Sequence, residues 1–169
     1  VKGDMIDFEL AKELYRLLQN EEYTEYSNLL AEKLIPVLES NYNCWLMKKM
    51  CVKAGVTTPE YELKFSRKIL IGKVKNFQIW EFRRFLTEIT KNYEDEYELV
   101  EEALAIEYKN YHAWSYRIWL VKQTKNWKEE IKNVEKYIIK DECNNSAWSY
   151  RFFVVNELAK EVDKEERKK

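Results

Sequence analysis

Lysine, tyrosine and histidine placed beside the start of a helix are the simplest anion-binding device this sequence offers. Lys75 and Lys109 each stand directly before an Asn that opens an apolar run, and Tyr111 and His112 follow the second of them. A helix starting at each Asn leaves its first backbone N–H groups unpaired, at the positive end of the helix dipole. A phosphate or diphosphate would be stabilised there by Lys75, or by Lys109 with Tyr111 and His112. The same lysines read equally as solvated surface charges, the usual state of lysine ahead of a helix. Metal chemistry has little to build on, since His112 is the only histidine and no Cys-x-x-Cys or His/Cys cluster occurs. Any zinc would have to be held by another chain. Cys44 and Cys51 fall about 10.5 Å apart along one helix, too far for a disulfide, and Cys143 stands alone.

These residues belong to a repeat. SNYNCWLMKKMCV from Ser40, KNFQIWEFRRFLT from Lys75, KNYHAWSYRIWLV from Lys109 and NNSAWSYRFFVV from Asn144 align on Trp45, Trp80, Trp114 and Trp148, which lie 35, 34 and 34 residues apart. That period is the mark of a helical-repeat protein. Asn41, Asn76, Asn110 and Asn144 lead the motifs as expected N-caps. Lys48, Arg83, Arg117 and Arg151 follow each Trp by three residues, on the same helical face, where the base can stack on a ring or reach a loop carbonyl. The plainest role of Asn, Trp and base is structural: cap, core anchor and polar tie.

Hydrophobic periodicity places helices at 5–19 and 24–38, with Pro36 tightening or kinking the last turn of the second. Further helices are expected at 40–53, from Thr58-Pro59 to Gly72, and at 77–90, 93–106, 111–123 and 127–140. A last helix from Asn145 fades into the charged run KEVDKEERKK, expected to be a solvated, fraying end. In 127–140 the residues Trp127, Ile131, Val134 and Ile138 form an apolar stripe. The fold class is therefore all-α: a right-handed α-α superhelix, or solenoid, of antiparallel helix pairs with about nine helices. It forms one repeat domain over 1–169, with motifs at 40–52, 75–87, 109–121 and 144–155.

Composition narrows the function classes. Apolar residues make up 46% and charged residues 35%, with only 3 Gly and 2 Pro, which suits helices with short joints and not a sheet protein. A net charge of −1 supplies no global field for nucleic acid. No run is long enough for a membrane span, and VKGDMIDFEL lacks a signal-peptide core, so a cytoplasmic protein is expected.

The Asn-x-x-x-Trp-x-x-Arg pattern, spelled KNFQIWEFRRFL, KNYHAWSYRIWLV and NNSAWSYRFFVV, resembles the α subunit of protein farnesyltransferase and type I geranylgeranyltransferase. FELAKELYRLLQNEEY is similar to the start of that subunit's helical array, so the likeness runs along nearly the whole chain. The resemblance implies one half of a heterodimeric CaaX prenyltransferase, inactive without a β subunit that carries zinc and most of the isoprenoid pocket, with magnesium as a second candidate cofactor. The enzyme moves a prenyl group from its diphosphate to the Cys of a CaaX peptide.

Under the resemblance Lys75 is the catalytic lysine, countering charge on the departing diphosphate. Tyr111 and His112 are hydrogen-bond donors to the same diphosphate. Gln78 binds the peptide's terminal carboxylate, and Tyr42 and Ser40 lie near its last side chain. Two departures stand out. Phe77 occupies a position where the family has Tyr, removing a hydroxyl near the diphosphate, and the motifs end after the fourth whereas the family's α subunit carries further helix pairs. Two other readings compete: a binding scaffold without catalysis, and the α subunit of Rab geranylgeranyltransferase, which depends on an escort protein.

Overall fold

Asparagine begins each motif helix as its spacing requires. Asn41 and Asn76 accept a hydrogen bond from the backbone N–H two residues on (2.9 and 3.0 Å), and Asn110 and Asn144 from the N–H three residues on (3.0 and 3.2 Å). Each cap satisfies a donor that the helix leaves unpaired, a contribution of about 1 kcal/mol. Thr58 does the same for Tyr61, ahead of Pro59 at the first helical position, and Thr24 forms a reciprocal box with Ser27.

A computed structural model describes residues 2–38 and 40–167. Over these residues the chain forms α1 (Lys2–Gln19), α2 (Glu25–Leu34), α3 (Tyr42–Lys53), α4 (Pro59–Gly72), α5 (Phe77–Thr90), α6 (Tyr93–Ile106), α7 (Tyr111–Thr124), α8 (Trp127–Lys140) and α9 (Asn145–Glu166). No strand occurs among them. The all-α expectation holds, with most boundaries within a residue. The second helix is shorter than its periodicity suggests: it stops at Leu34, and Pro36 lies in a turn closed by hydrogen bonds from Val37 and Leu38 N–H to the Leu34 carbonyl. The charged run is helical through Glu166 and solvated; Lys168 and Lys169, its end, lie outside the described residues.

The chain divides into two compact units, 1–91 and 92–169. In the first, α1 packs on α2 and α3, α3 on α5, and α4 on α5. Cys51 touches Ser27 at 3.8 Å while Lys48, one turn earlier, reaches Glu32. Residue numbers thus fall along α2 as they rise along α3, which makes the pair antiparallel. In the second unit α6 pairs with α7 and α8 with α9. There Tyr97 meets Thr124 (3.0 Å) and Glu101 meets Arg117, again in opposing order.

Three of the four motif tryptophans are core anchors: Trp45, Trp80 and Trp114 are buried. The indole N–H also fastens the preceding loop, donating six residues back from Trp80 to Val74 (2.8 Å), Trp114 to Tyr108 (2.9 Å) and Trp148 to Glu142 (2.8 Å). Trp148 departs from expectation, being 45% exposed. Trp114 is covered by Tyr137 and Tyr150, both from the following repeat, and Trp148 belongs to the last described motif helix.

Of the basic residues of the motif Lys48, Arg83 and Arg117 are buried too, with partners that differ from those expected, whereas Arg151 is half-buried. Lys48 lies between Glu32 (3.1 Å) and Glu62 (2.8 Å), and Arg117 between Glu101 and Glu130 (2.6 Å from its Nε). Arg83 reaches the Leu63 carbonyl (2.7 Å) and Ser66 (2.9 Å). Rings do flank Arg117, but they are Tyr97, Tyr137 and Tyr150 and not its own Trp114. A charge removed from water is stable only when paired and hydrogen-bonded, so carboxylates have become core residues here. Glu62, Glu96 and Glu130 recur every 34 residues at the fourth position of α4, α6 and α8, at 0%, 1% and 2% exposure. In α8 this places Glu130 in the middle of the packed face with Trp127, Val134 and Tyr137, and moves Ile131 and Ile138 to its half-buried margin.

Candidate functional site

The loop between α4 and α5 is held rigidly for a short, polar segment. Lys73 ends α4 by donating to the Leu70 carbonyl, and Asn76 N–H donates back to the Lys73 carbonyl at 2.9 Å, closing a turn over residues 73–76. Val74 is buried, its carbonyl is taken by the Trp80 indole, and Asn76 caps α5. With its even-numbered residues engaged in this way, the loop leaves Lys73 and Lys75 exposed beside the first turn of α5.

Ser40, Lys73, Lys75, Asn76, Phe77 and Gln78 line a cavity of about 320 Å³ in the first unit. The Gln78 side-chain N–H donates to the Ser40 carbonyl at 3.2 Å, tying the α4–α5 loop to the loop that precedes α3. Its Oε1 is enclosed and accepts no hydrogen bond. The amide orientation is thereby fixed, with one N–H still available to a carboxylate and an acceptor open to a donor. Lysine ammonium groups and the N–H groups of α5 supply positive potential on the other side of the cavity. An anion and a polar chain end are the ligands this lining suits.

Of the residues singled out from sequence, Lys75, Gln78 and Ser40 are brought together at this cavity. Tyr42 stands at the exposed first residue of α3 and is not part of the lining. Tyr111 and His112 lie in the second unit, at the start of α7, with ring centroids 5.6 Å apart and edge to face. Tyr111 is 76% exposed. Lys109, the counterpart of Lys75 one repeat on, is drawn to Asp141 at 3.6 Å and lies over the Tyr108 ring. That pairing lowers its worth as an anion ligand.

Two stretches of the chain, residues 93–124 and 127–158, match the family described as protein prenyltransferase alpha subunit repeat. They correspond to α6 with α7 and to α8 with most of α9. A chain of Candida albicans protein geranylgeranyltransferase-I complexed with GGPP superposes with a TM-score of 0.76 at 33% identity, over 86% of this chain and 51% of that one. The chain belongs to the protein prenyltransferase α-subunit repeat family. It spans about half the length of the geranylgeranyltransferase-I chain it matches. No curated protein matches it.

In this prenyltransferase repeat, the carboxylates that sequence reading missed differ in their electrostatics. Burial by itself would raise Glu130, but the hydrogen bonds and charge of Arg117, with Asn133 and Tyr150, carry it below the ordinary carboxylate value. Glu101 is lowered in the same way: burial opposes, and Arg117, Lys136 and Tyr137 prevail. Around Glu62 burial wins over Lys48 and Thr57, leaving its carboxyl raised and its Oε2 without a hydrogen bond. The 34-residue spacing of Glu62, Glu96 and Glu130 was the available signal. In a second groove, in the second unit and lined by Lys125, Trp127, Lys160 and Glu161 among others, lining residues are tied to one another, with Trp127 Nε1 donating to Glu161 at 2.6 Å.

Proposed function

We propose that the chain is the α subunit of a heterodimeric CaaX protein prenyltransferase of the farnesyltransferase and type I geranylgeranyltransferase class. The observation that carries this reading is the clustering of Lys75, Gln78 and Ser40 around one cavity in a chain built of prenyltransferase α repeats. In the reaction the cysteine sulfur of the peptide attacks the first carbon of the isoprenoid, the C–O bond breaks, and diphosphate leaves with the bonding pair. Lys75 places its ammonium where that negative charge accumulates, a stabilisation greater in the transition state than before it. Gln78, fixed by Ser40, offers its remaining amide N–H to the terminal carboxylate of the peptide, and Ser40 and Tyr42 border the last side chain. Tyr111 and His112 are proposed as diphosphate donors on the resemblance alone.

The residues of this chain do not suit a zinc site. Its single histidine and three cysteines are dispersed, and no group of three potential ligands occurs among the described residues. Zinc on the β partner is proposed on the resemblance, with magnesium as a second candidate cofactor. The farnesyl or geranylgeranyl choice is likewise the partner's, the geranylgeranyltransferase-I likeness favouring this class over the Rab type. No described helix is long and apolar enough to cross a membrane, and a cytoplasmic setting is proposed.

Co-expression with the β partner tests the proposal. The expected result is a stable heterodimer that transfers an isoprenoid to a CaaX peptide, while the isolated chain transfers none. A heterodimer that binds CaaX peptide but neither binds nor turns over an isoprenoid diphosphate would make the chain a scaffold. Transfer only in the presence of an escort protein would make it a Rab-type subunit.

A further inference from the structure

Motif helices pack on one another within each unit, α3 on α5 and α7 on α9, and both joints use the same pair of positions. Counted from the motif Trp, the eighth residue of the earlier helix is Lys53 or Lys122, and the fifth residue of the later helix is Phe85 or Phe153. Each ammonium lies over its ring, 5.9 and 5.2 Å from the centroid. The rest of the joint differs between the units. At α7–α9 the fourth residue of the earlier helix is the half-buried Ile118, and the ninth of the later helix is Glu157. A hydrogen bond from Lys160 (2.6 Å), opposed by burial and aided by the charges of Lys160 and Lys122, holds the Glu157 carboxyl below its ordinary value. This joint thus carries its own counter-charge. At α3–α5 the two positions exchange character: the fourth residue is Lys49, and the ninth is Ile89, 50% exposed. Lys49 also lies over the Phe85 ring, at 5.7 Å, and neither it nor Lys53 meets a carboxylate among the described residues.

Two ammonium groups one helical turn apart repel, and a shared ring face in water offsets little of that. An exposed Ile beside them adds apolar surface without cover. Both features become favourable once a carboxylate and an apolar side chain are laid over them. The place of the joint indicates their source. The Gln78–Ser40 tie joins the start of α5 to the residues before α3, and Lys53 meets Phe85 further along both helices, so the two run parallel. Gln78 and Phe85, seven residues apart, share one face of α5 and lie about 10 Å from each other along its axis. A subunit that closes the cavity at Gln78 therefore continues over the lysine pair. We propose that Lys49, Lys53, Phe85 and Ile89 form a docking surface for an acidic segment of the β partner, with a carboxylate between the lysines and an apolar side chain against Phe85 and Ile89. This rests on the proposed heterodimer and assigns part of its interface.

Dissociation of the co-expressed heterodimer on dilution, followed by sedimentation at several salt concentrations, tests this surface. Lys49→Gln combined with Lys53→Gln is expected to raise the subunit Kd by about tenfold and to flatten its dependence on salt, as loss of paired interface charges requires. Lys49→Arg with Lys53→Arg keeps both charges and should restore assembly, whereas Ile89→Asp should weaken it by setting like charges face to face. At concentrations that keep the subunits together, kcat and both KM values of the double Gln variant should match wild type, because neither lysine touches a substrate. A wild-type Kd and salt dependence in that variant would overturn the inference and leave the proposed function standing. Failure of the double Arg variant to restore assembly would make the lysines packing residues and equally overturn it. Capture of the intact heterodimer on anionic phospholipid vesicles through Lys49 and Lys53 would assign the surface to a membrane, again against the inference. A wild-type chain that never pairs with the β partner overturns both readings.

Discussion

At the scale of single residues, the buried basic side chains carry the heaviest electrostatic load. Arg117 is 1% exposed and bonded to Glu101 and Glu130, while Tyr150 donates to the same Glu130. Replacing Arg117 with Met keeps much of the volume but leaves Glu130 buried without a counter-charge, while half-buried Glu101 keeps Lys136. We predict a loss of about 3–5 kcal/mol in chemical denaturation, most of it recovered when Glu130→Gln is added. An Arg117→Met loss below about 1 kcal/mol would mean that Glu130 protonates or rehydrates at little cost. Little of this was legible in the sequence. The Asn caps were, because a capping Asn is recognised from its neighbours in the chain. Glu96 and Glu130 were not, since a glutamate in the first turn of a helix looks like a solvated charge favouring the dipole until its distant partner, Tyr116 for Glu96 and Arg117 for Glu130, is in place.

At the scale of elements, the motif Trp acts on the loop before it as much as on the core behind it. The Trp80 indole fixes the Val74 carbonyl, and through it the turn that presents Lys73 and Lys75. Trp80→Phe preserves an aromatic core residue and removes that hydrogen bond. Stability should fall by about 1–2 kcal/mol through the lost bond and the unfilled indole volume, with faster amide exchange concentrated at Lys75 and Asn76. Exchange accelerated evenly along α5 instead would assign Trp80 to packing alone. Helix limits were readable because each is set by local chemistry: Asn caps, Thr58-Pro59 and clean apolar spacing. The end of α2 was misjudged because apolar spacing continues past Leu34 while Pro36 withholds the N–H that a further turn needs. Neither the Gln78–Ser40 tie nor the cavity beside it could be read, because both join residues 38 apart in the chain.

At the scale of the whole molecule, the two units hold their buried charges in opposite protonation balance. Glu101 and Glu130 lie below the ordinary carboxylate value of 4.5 in the fold, so they stabilise the second unit above that value. That stability is lost as pH falls through their lowered values. Glu62 lies above 4.5, so its contribution is favourable in acid and is lost as pH rises through its raised value. Acidification below about pH 4.5 should therefore cost α7, α8 and α9 more amide protection than α3 and α4, once intrinsic exchange is corrected. Equal losses would contradict the opposed shifts. The family and the all-α repeat were legible from the 34-residue motif alone, whereas the division into two units was not, since the motif repeats straight through residue 91.

Lys75 is proposed to stabilise diphosphate charge in the transition state, and single-turnover transfer by the heterodimer tests this role most directly. With isoprenoid diphosphate prebound, Lys75→Ala should slow the chemical step by about 10²–10³-fold, as removal of one preorganised oxyanion donor does. Peptide affinity should be unchanged and Lys75→Arg partly active. A chemical step in Lys75→Ala within about threefold of wild type would contradict the account.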